Sequence, residues 1–465
     1  MTSEMQLFVR SNIQELHIKI ATAIIEKQII LSPTSDVYYR HEITSPLEFG
    51  ESGYPTFQSQ IKLVNKHNWG NTIDEIRKMV SSSAEYQAID EVVRQKQIQS
   101  YRNVMEVLCD RISFNILRDS DPKDKEVQLE SIINTFIKHL NDEPIDCFSR
   151  AYIEGVKFVG DPLSLRINNV QMLLRGPVKT DFESESIWFM NKTDFPPRSS
   201  CILEIILPTK RPYEVQKEVA RSISILQLFK SGGVKYHSYT MESESMIEII
   251  GGTTFSGRGE NPFVMYEVNN NDVPVLMHFW QEIVNYLVES IYENSGKENH
   301  PINIAYHRYT SALLKIGLLE ERIANVVMGF EALFLTGEEQ GEISYRLRIR
   351  TAKVFGLIGD NPEQVKNIIN LAYSVRSSYV HGDAVSKDSL KKINRDFQDL
   401  KSFLSQLLNK LRIALILNII VQNKLRLNKQ DFIKLIDDSF IDRKKNVELR
   451  KLIREVKRTN LINNL

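Results

Sequence analysis

Cysteine is scarce. Cys109, Cys147 and Cys201 are the only three in 465 residues, an odd and widely spaced set that offers neither a disulfide framework nor a C-x-x-C zinc pair. Such thiols are expected to be buried and reduced. Net charge is absent as well. Lys and Arg total 59 against 59 Asp and Glu, which excludes a chain that is basic throughout and coats itself with nucleic acid. Long hydrophobic runs are missing too: the longest, LRIALILNIIV at 411–421, is short and carries Arg412 and Asn418, so it reads as a buried helix and no membrane partner is expected. The first residues, MTSEMQLFVRSNIQELHIKI, lack a basic segment followed by an apolar one, so no signal peptide is expected and a cytoplasmic location follows.

Several catalytic signatures are also lacking. There is no G-x-x-x-x-G-K-[ST], no G-x-S-x-G, no H-E-x-x-H and no acidic calcium loop. The glycine-rich stretch Gly251–Gly259 reads as a turn rather than a phosphate cradle, because no clear helix follows it. Asp181, Glu183, Glu185 and Glu204 suggest a metal nuclease only weakly; the first three read as a solvated acidic loop. The nine histidines are scattered without metal-ligand spacing, so no metal and no cofactor are expected.

What is present is an ordinary globular composition, 42% apolar and 25% charged. Apolar spacing predicts a helix over 6–30, through Leu7, Ile13, Leu16, Ile20 and Ile24, loops with short strands over 31–60, and further helical stretches over 81–118 and 127–140. Between about 150 and 268 the texture turns to short β-type runs, at 167–174, 201–207, 234–239, 245–250 and 263–268, with one helix over 213–229. From 273 onward the pattern is helical, with helices expected near 273–294, 303–317, 319–336, 342–357, 362–381, 386–422, 429–437 and 444–459. The fold class is therefore α+β: a mixed α/β N-terminal domain, 1–270, followed by an all-α bundle, 273–465, with a polar linker at 269–273.

The neutral total conceals a split. Residues 341–465 hold 25 basic and 13 acidic side chains, a balance of +12, which leaves −12 for residues 1–340. A basic helical region of this kind can face phosphate.

One segment, LAYSVRSSYVHGD at 371–383, carries residues for metal-free chemistry on RNA. Arg376 can hold a phosphate and offset charge developing on it, and His381 can move a proton near neutral pH. RNA supplies its own nucleophile, the 2′-hydroxyl. Val365, Ile368, Ile369, Ala372, Val375 and Tyr379 form an apolar stripe at helical steps, with Arg376 on its edge. Five residues turn about 140° around a helix, so Arg376 and His381 do not share a face, whereas Ser377 and His381 do. Gly382 is placed to end the helix in a left-handed cap. A second spacing match, Arg10 with His17, reads as a first-helix charge and a packed histidine.

Residues 321–382 resemble the Apea-like branch of the HEPN (higher eukaryotes and prokaryotes nucleotide-binding) superfamily. The resemblance rests on an ordered series: Arg322-Ile323 with Gly329-Phe-Glu-Ala-Leu-Phe334, then Ile343-Ser-Tyr-Arg-Leu-Arg348 with Arg350, Ala352 and Phe355-Gly356, and last Tyr373-Ser-Val-Arg376-Ser-Ser-Tyr-Val-His381-Gly382. It implies a four-to-five-helix bundle that forms a homodimer, in which the Arg–His motifs of two subunits build one composite site in a basic cleft. It implies metal-independent endoribonuclease activity of the toxin or phage-defence kind, and a sensor role for residues 1–270 toward a phage-derived or other trigger. Arg376 and His381 would be catalytic, Ser377, Tyr379 and Glu331 supporting, and Arg346, Arg348 and Arg350 candidates for RNA contact. Glu331 is expected to pair with Arg348 or Arg376. The chain departs from many active members in having Ser377, not Asn, Asp or His, after the arginine. The alternative reading is a HEPN module that binds nucleotide or RNA, or dimerises, without cleaving.

Overall fold

The structure, a computed structural model, describes residues 1–28, 34–43, 48–49, 55–56, 59–68, 70–96, 104–117, 121–179, 185–186, 199–210, 214–243, 251–255, 265–287, 291, 300–314, 317–337 and 342–462. The fold is α+β, and the described chain forms two compact units that interleave along the sequence. The first comprises 1–152, 164–216 and 237–255; the second comprises 153–163, 217–236 and 256–465. The expected break at 269–273 thus falls inside the second unit.

In the first unit, helix α1 (Ser3–Gln28) buries Val9, Ile13, Leu16 and Ile20 completely. Leu7, expected on that face, is instead exposed. Strand β1 (Thr34–Ile43) is followed by β2 (Glu48–Phe49), β3 (Pro55–Thr56) and β4 (Ser59–Asn68). Strands β1 and β4 pair antiparallel over their full ten residues, a longer ladder than the short strands expected there. Helices α2 (Gly70–Val80), α3 (Ala84–Gln95), α4 (Val104–Leu117) and α5 (Pro122–Leu140) close one apolar core around α1. The single stretch read over 81–118 is therefore two helices. Ser83 caps α3 by accepting from the Tyr86 amide, and Asp121 caps α5 ahead of Pro122.

Next come β5 (Ile145–Glu154), β6 (Val156–Phe158), β7 (Leu163–Ile167), β8 (Val170–Arg175), β9 (Glu185–Ser186), β10 (Cys201–Thr209), helix α6 (Glu214–Phe229), β11 (Lys235–Ser243), β12 (Gly251–Phe255) and β13 (Tyr266–Val268). A six-stranded sheet runs in the order β12-β11-β5-β10-β8-β7. The expected strand over 167–174 is two strands meeting at Asn168, whose φ of +55° suits asparagine at a tight turn. The glycine-rich stretch opens as β12, paired antiparallel with β11, rather than as a turn. The run expected at 245–250 lies outside the described residues. All three cysteines are free and buried, and burial pushes the Cys109 thiol up to about 12, which makes it inert at neutral pH.

The second unit holds α7 (Asp272–Ile283), α8 (Pro301–Leu314), α9 (Leu319–Phe334), α10 (Ile343–Ile358), α11 (Pro362–His381), α12 (Lys387–Phe397), α13 (Leu400–Ile419, continued by a π-helical turn Ile420–Lys424), α14 (Lys429–Asp438) and α15 (Arg443–Arg458). The helix expected over 386–422 breaks at Gln398, φ +73°, and restarts where Asp399 accepts from the Ser402 amide at 2.6 Å. Helix α9 is central, packed against α8, α11 and α13. Gly329 permits this crossing: a Cβ there would meet Leu411 Cδ2 at 2.7 Å. The segment Leu400–Lys424 is long and apolar enough to cross a membrane by composition, yet 72% of that window is buried inside the fold, so it is a core helix.

Candidate functional site

Helix α11 sets the site. Asn361 accepts from the Glu363 and Gln364 amides and Pro362 opens the first turn. Val365, Ile368, Ile369, Ala372 and Val375 are buried along one stripe, which ends before Tyr379, 37% exposed. Gly382, φ +76°, closes the helix, and the Asp383 amide donates to the Ser378 carbonyl at 2.8 Å, the left-handed cap the sequence announced. Arg376 and Ser377 are half-buried, and His381 stands exposed on the last turn.

Arg376 lies 3.5 Å from Glu331 of α9 through Nη2, and its guanidinium sits 5.4 Å from the centre of the Tyr373 ring. Of the two expected partners for Glu331, then, the arginine of the motif is the one it meets. Burial holds the Glu331 carboxyl above the usual carboxylate range, with Arg376 opposing that rise. Nε of Arg376 is buried without a hydrogen-bond partner among the described residues. His381 makes no side-chain hydrogen bond or ion pair among the described residues.

The three arginines of α10 divide. Arg346 is exposed. Arg348 donates to the Ser344 carbonyl and to Asn370 Oδ1, the latter at 2.8 Å. Arg350 is not a cation available to RNA. It is 2% exposed, grips Asp437 of α14 at 2.8 and 2.6 Å, and donates to the Phe334 carbonyl at 2.9 Å. Sharing a face with exposed Arg346 did not keep it at the surface, because α14 covers that part of α10.

Two further arginines have the same internal role, and sequence reasoning assigned neither. Arg322 donates to the Ala312 and Leu313 carbonyls at the end of α8. Arg412, 1% exposed, donates to the Leu228 and Phe229 carbonyls at the end of α6 and to Asn409. Each of these three buried arginines satisfies the last carbonyls of a helix, where the backbone dipoles also favour positive charge. Against that background Arg376 is poorly used by the fold: one long ion pair, a ring contact and an unsatisfied N–H.

No family model, curated protein or solved structure matches this chain.

The other candidates are accounted for locally. Glu204 receives Arg150 and Arg175, each at 2.9 Å, which neutralises its charge. Asp181 and Glu183 lie outside the described residues. Arg10 pairs with Glu130 and donates to Asn134 at 2.6 Å, and burial lowers the pKa of His17. Among the described residues no group of three or more His, Cys, Asp or Glu is placed to hold a metal ion.

Proposed function

We propose that this chain is a HEPN-type, metal-independent endoribonuclease that acts as a homodimer in the cytoplasm, as a toxin or antiphage effector. Arg376 holds the scissile phosphate. One His381 takes the proton from the attacking 2′-hydroxyl, and the other, from the second copy, gives a proton to the departing 5′-oxygen. The P–O bond to the 2′-oxygen forms as the bond to the 5′-oxygen breaks, so a 2′,3′-cyclic phosphate and a 5′-hydroxyl result.

The observation that carries this reading is the contrast among arginines. Arg322, Arg350 and Arg412 are saturated by the protein, whereas Arg376 keeps a buried N–H without a partner. An unsatisfied group of this kind costs about 1–3 kcal/mol, and a phosphate oxygen would supply the missing acceptor. Exposed His381 lies one to two turns further along the same helix, beside exposed Tyr379 and Val380, a surface suited to a second copy.

The test is incubation of the purified full chain with total RNA in EDTA. Cleavage should fall by about 10²–10⁴-fold in His381→Ala and should also be lost in Arg376→Ala, with unfolding transitions close to wild type. Strict dependence on magnesium would overturn the reading. A second reading, an RNA-binding or dimerising module without cleavage, is favoured by Ser377 following Arg376 and by the lack, among the described residues, of a side-chain hydrogen bond or ion pair to His381. RNA binding by wild type without cleavage would select it.

A further inference from the structure

The second unit also carries a cationic surface away from the motif. Helix α15 has the sequence RKKNVELRKLIREVKR and turns only Leu449, Ile453 and Val456 into the core. Its outer side and the end of α10 border an open cleft of about 480 Å³ lined by Leu357, Arg450, Arg454, Lys457, Arg458 and Asn460. That volume lies within the range of small-ligand sites. No carboxylate lines it.

The four cations differ in how they are used. Arg458 donates to Glu455, and Lys457 Nζ donates to the Ile358 carbonyl at 2.9 Å. Arg450 and Arg454 are exposed and have no ion pair or hydrogen bond among the described residues. They stand one helical turn apart on the same face. Lys353, on α10, feels the same crowding: burial and the nearby positive charge of Arg450 both lower its pKa. Of the four, Arg458 has a carboxylate partner, Glu455; the other like charges raise the energy of the empty site, and an anion relieves that cost.

The cleft is also remote from Arg376 and His381. It adjoins the end of α10, where Gly356 abuts Pro362 at the start of α11. Helix α11 then rises about 30 Å over its twenty residues before reaching His381.

We propose that this cleft binds a linear polyphosphate anion, the chemistry shared by inorganic tripolyphosphate and the triphosphate of a nucleotide. Arg450 and Arg454 supply forked donors to successive phosphates, and Lys457, next along the same side of the helix, supplies a point charge beyond Arg454. The proposal does not rest on the Arg376–His381 reading.

The experiment is calorimetric titration of the full chain with inorganic tripolyphosphate, then with ATP. Arg450→Ala/Arg454→Ala is the test variant. Lys391→Ala/Lys392→Ala, which removes the same charge from exposed positions on α12, is the control. Saturable one-to-one binding is expected, weakened at least tenfold in the test variant and less than twofold in the control. Competition by ATP would identify a nucleotide as a source of the anion, and tripolyphosphate binding without it would identify the free polyphosphate. Three results would overturn the proposal: no saturation below about 1 mM, equal weakening in both variants, or binding of 5′-hydroxyl RNA where tripolyphosphate does not bind.

Discussion

Replacing Arg350 with methionine separates a structural arginine from an RNA-binding one. The hydrogen bonds of Arg350 include two to the Asp437 carboxylate and one to the Phe334 carbonyl. Methionine keeps the apolar stem but orphans the Phe334 carbonyl, a loss of about 1–3 kcal/mol. The ion pair adds only about 1 kcal/mol, because the Asp437 side chain is 43% exposed and rehydrates. Relief of the buried guanidinium's desolvation offsets part of this. The expected net loss is about 2–3 kcal/mol. A chain with two compact units does not unfold in one clean step. Native-state hydrogen exchange at the amides of α9 and α14 therefore isolates the change. RNA affinity measured against salt should keep its slope. Unchanged protection together with a slope reduced by about one would refute the assignment, since that is the signature of a lost phosphate contact.

Two other outcomes follow from local geometry. Gly382→Ala meets no atom within 4 Å, so its cost is the left-handed backbone alone, φ +76°, about 1 kcal/mol; protection of the last turn of α11 should fall accordingly, and Gly382→Asn should cost less. His139, buried on α5, has its pKa pushed down to about 4 by burial and, secondarily, by Arg111. Its stabilising contribution is complete above about pH 6.5 and is lost as the pH falls toward 4, up to roughly 3 kcal/mol in total. Hydrogen-exchange protection of the α5 amides in wild type should therefore drop faster than in His139→Gln between pH 6.5 and 4.5, after correction for the intrinsic exchange rate, and parallel curves would exclude His139 as the titrating group.

The helical half was legible because its signals are local. The stripe from Val365 to Val375, the Asn361 cap and Gly382 fix α11 from neighbours three or four residues away. Strand β5 was missed: its outward positions alternate, but Ile145–Glu154 carries Asp146, Ser149 and Arg150 within a sheet whose pairings lie far away in sequence. The break between α12 and α13 was also missed, since Gln398 is not a residue that announces a positive φ. At the site, the Arg376–Glu331 pairing was readable as one of two choices, but the fate of Arg350 was not. Nothing near Arg350 in sequence indicates that Asp437, 87 residues later, covers it. The cleft on α15 was visible only as surplus charge, because its wall comes from Leu357.

Arg412 has a consequence for how the chain is made. It reaches the carbonyls of Leu228 and Phe229 across more than 180 residues, and the unit it stabilises draws on three separate stretches of chain. During synthesis the end of α6 is exposed for some ten to forty seconds before its capping arginine is even polymerised, at about 5–20 residues per second. Until then its carbonyls have only water or a chaperone to meet. A fragment begun at residue 273 would bring the converse problem, a guanidinium in an apolar core with its helix end missing. The helical half is therefore expected to misfold when expressed alone, so studies of its chemistry require the full chain.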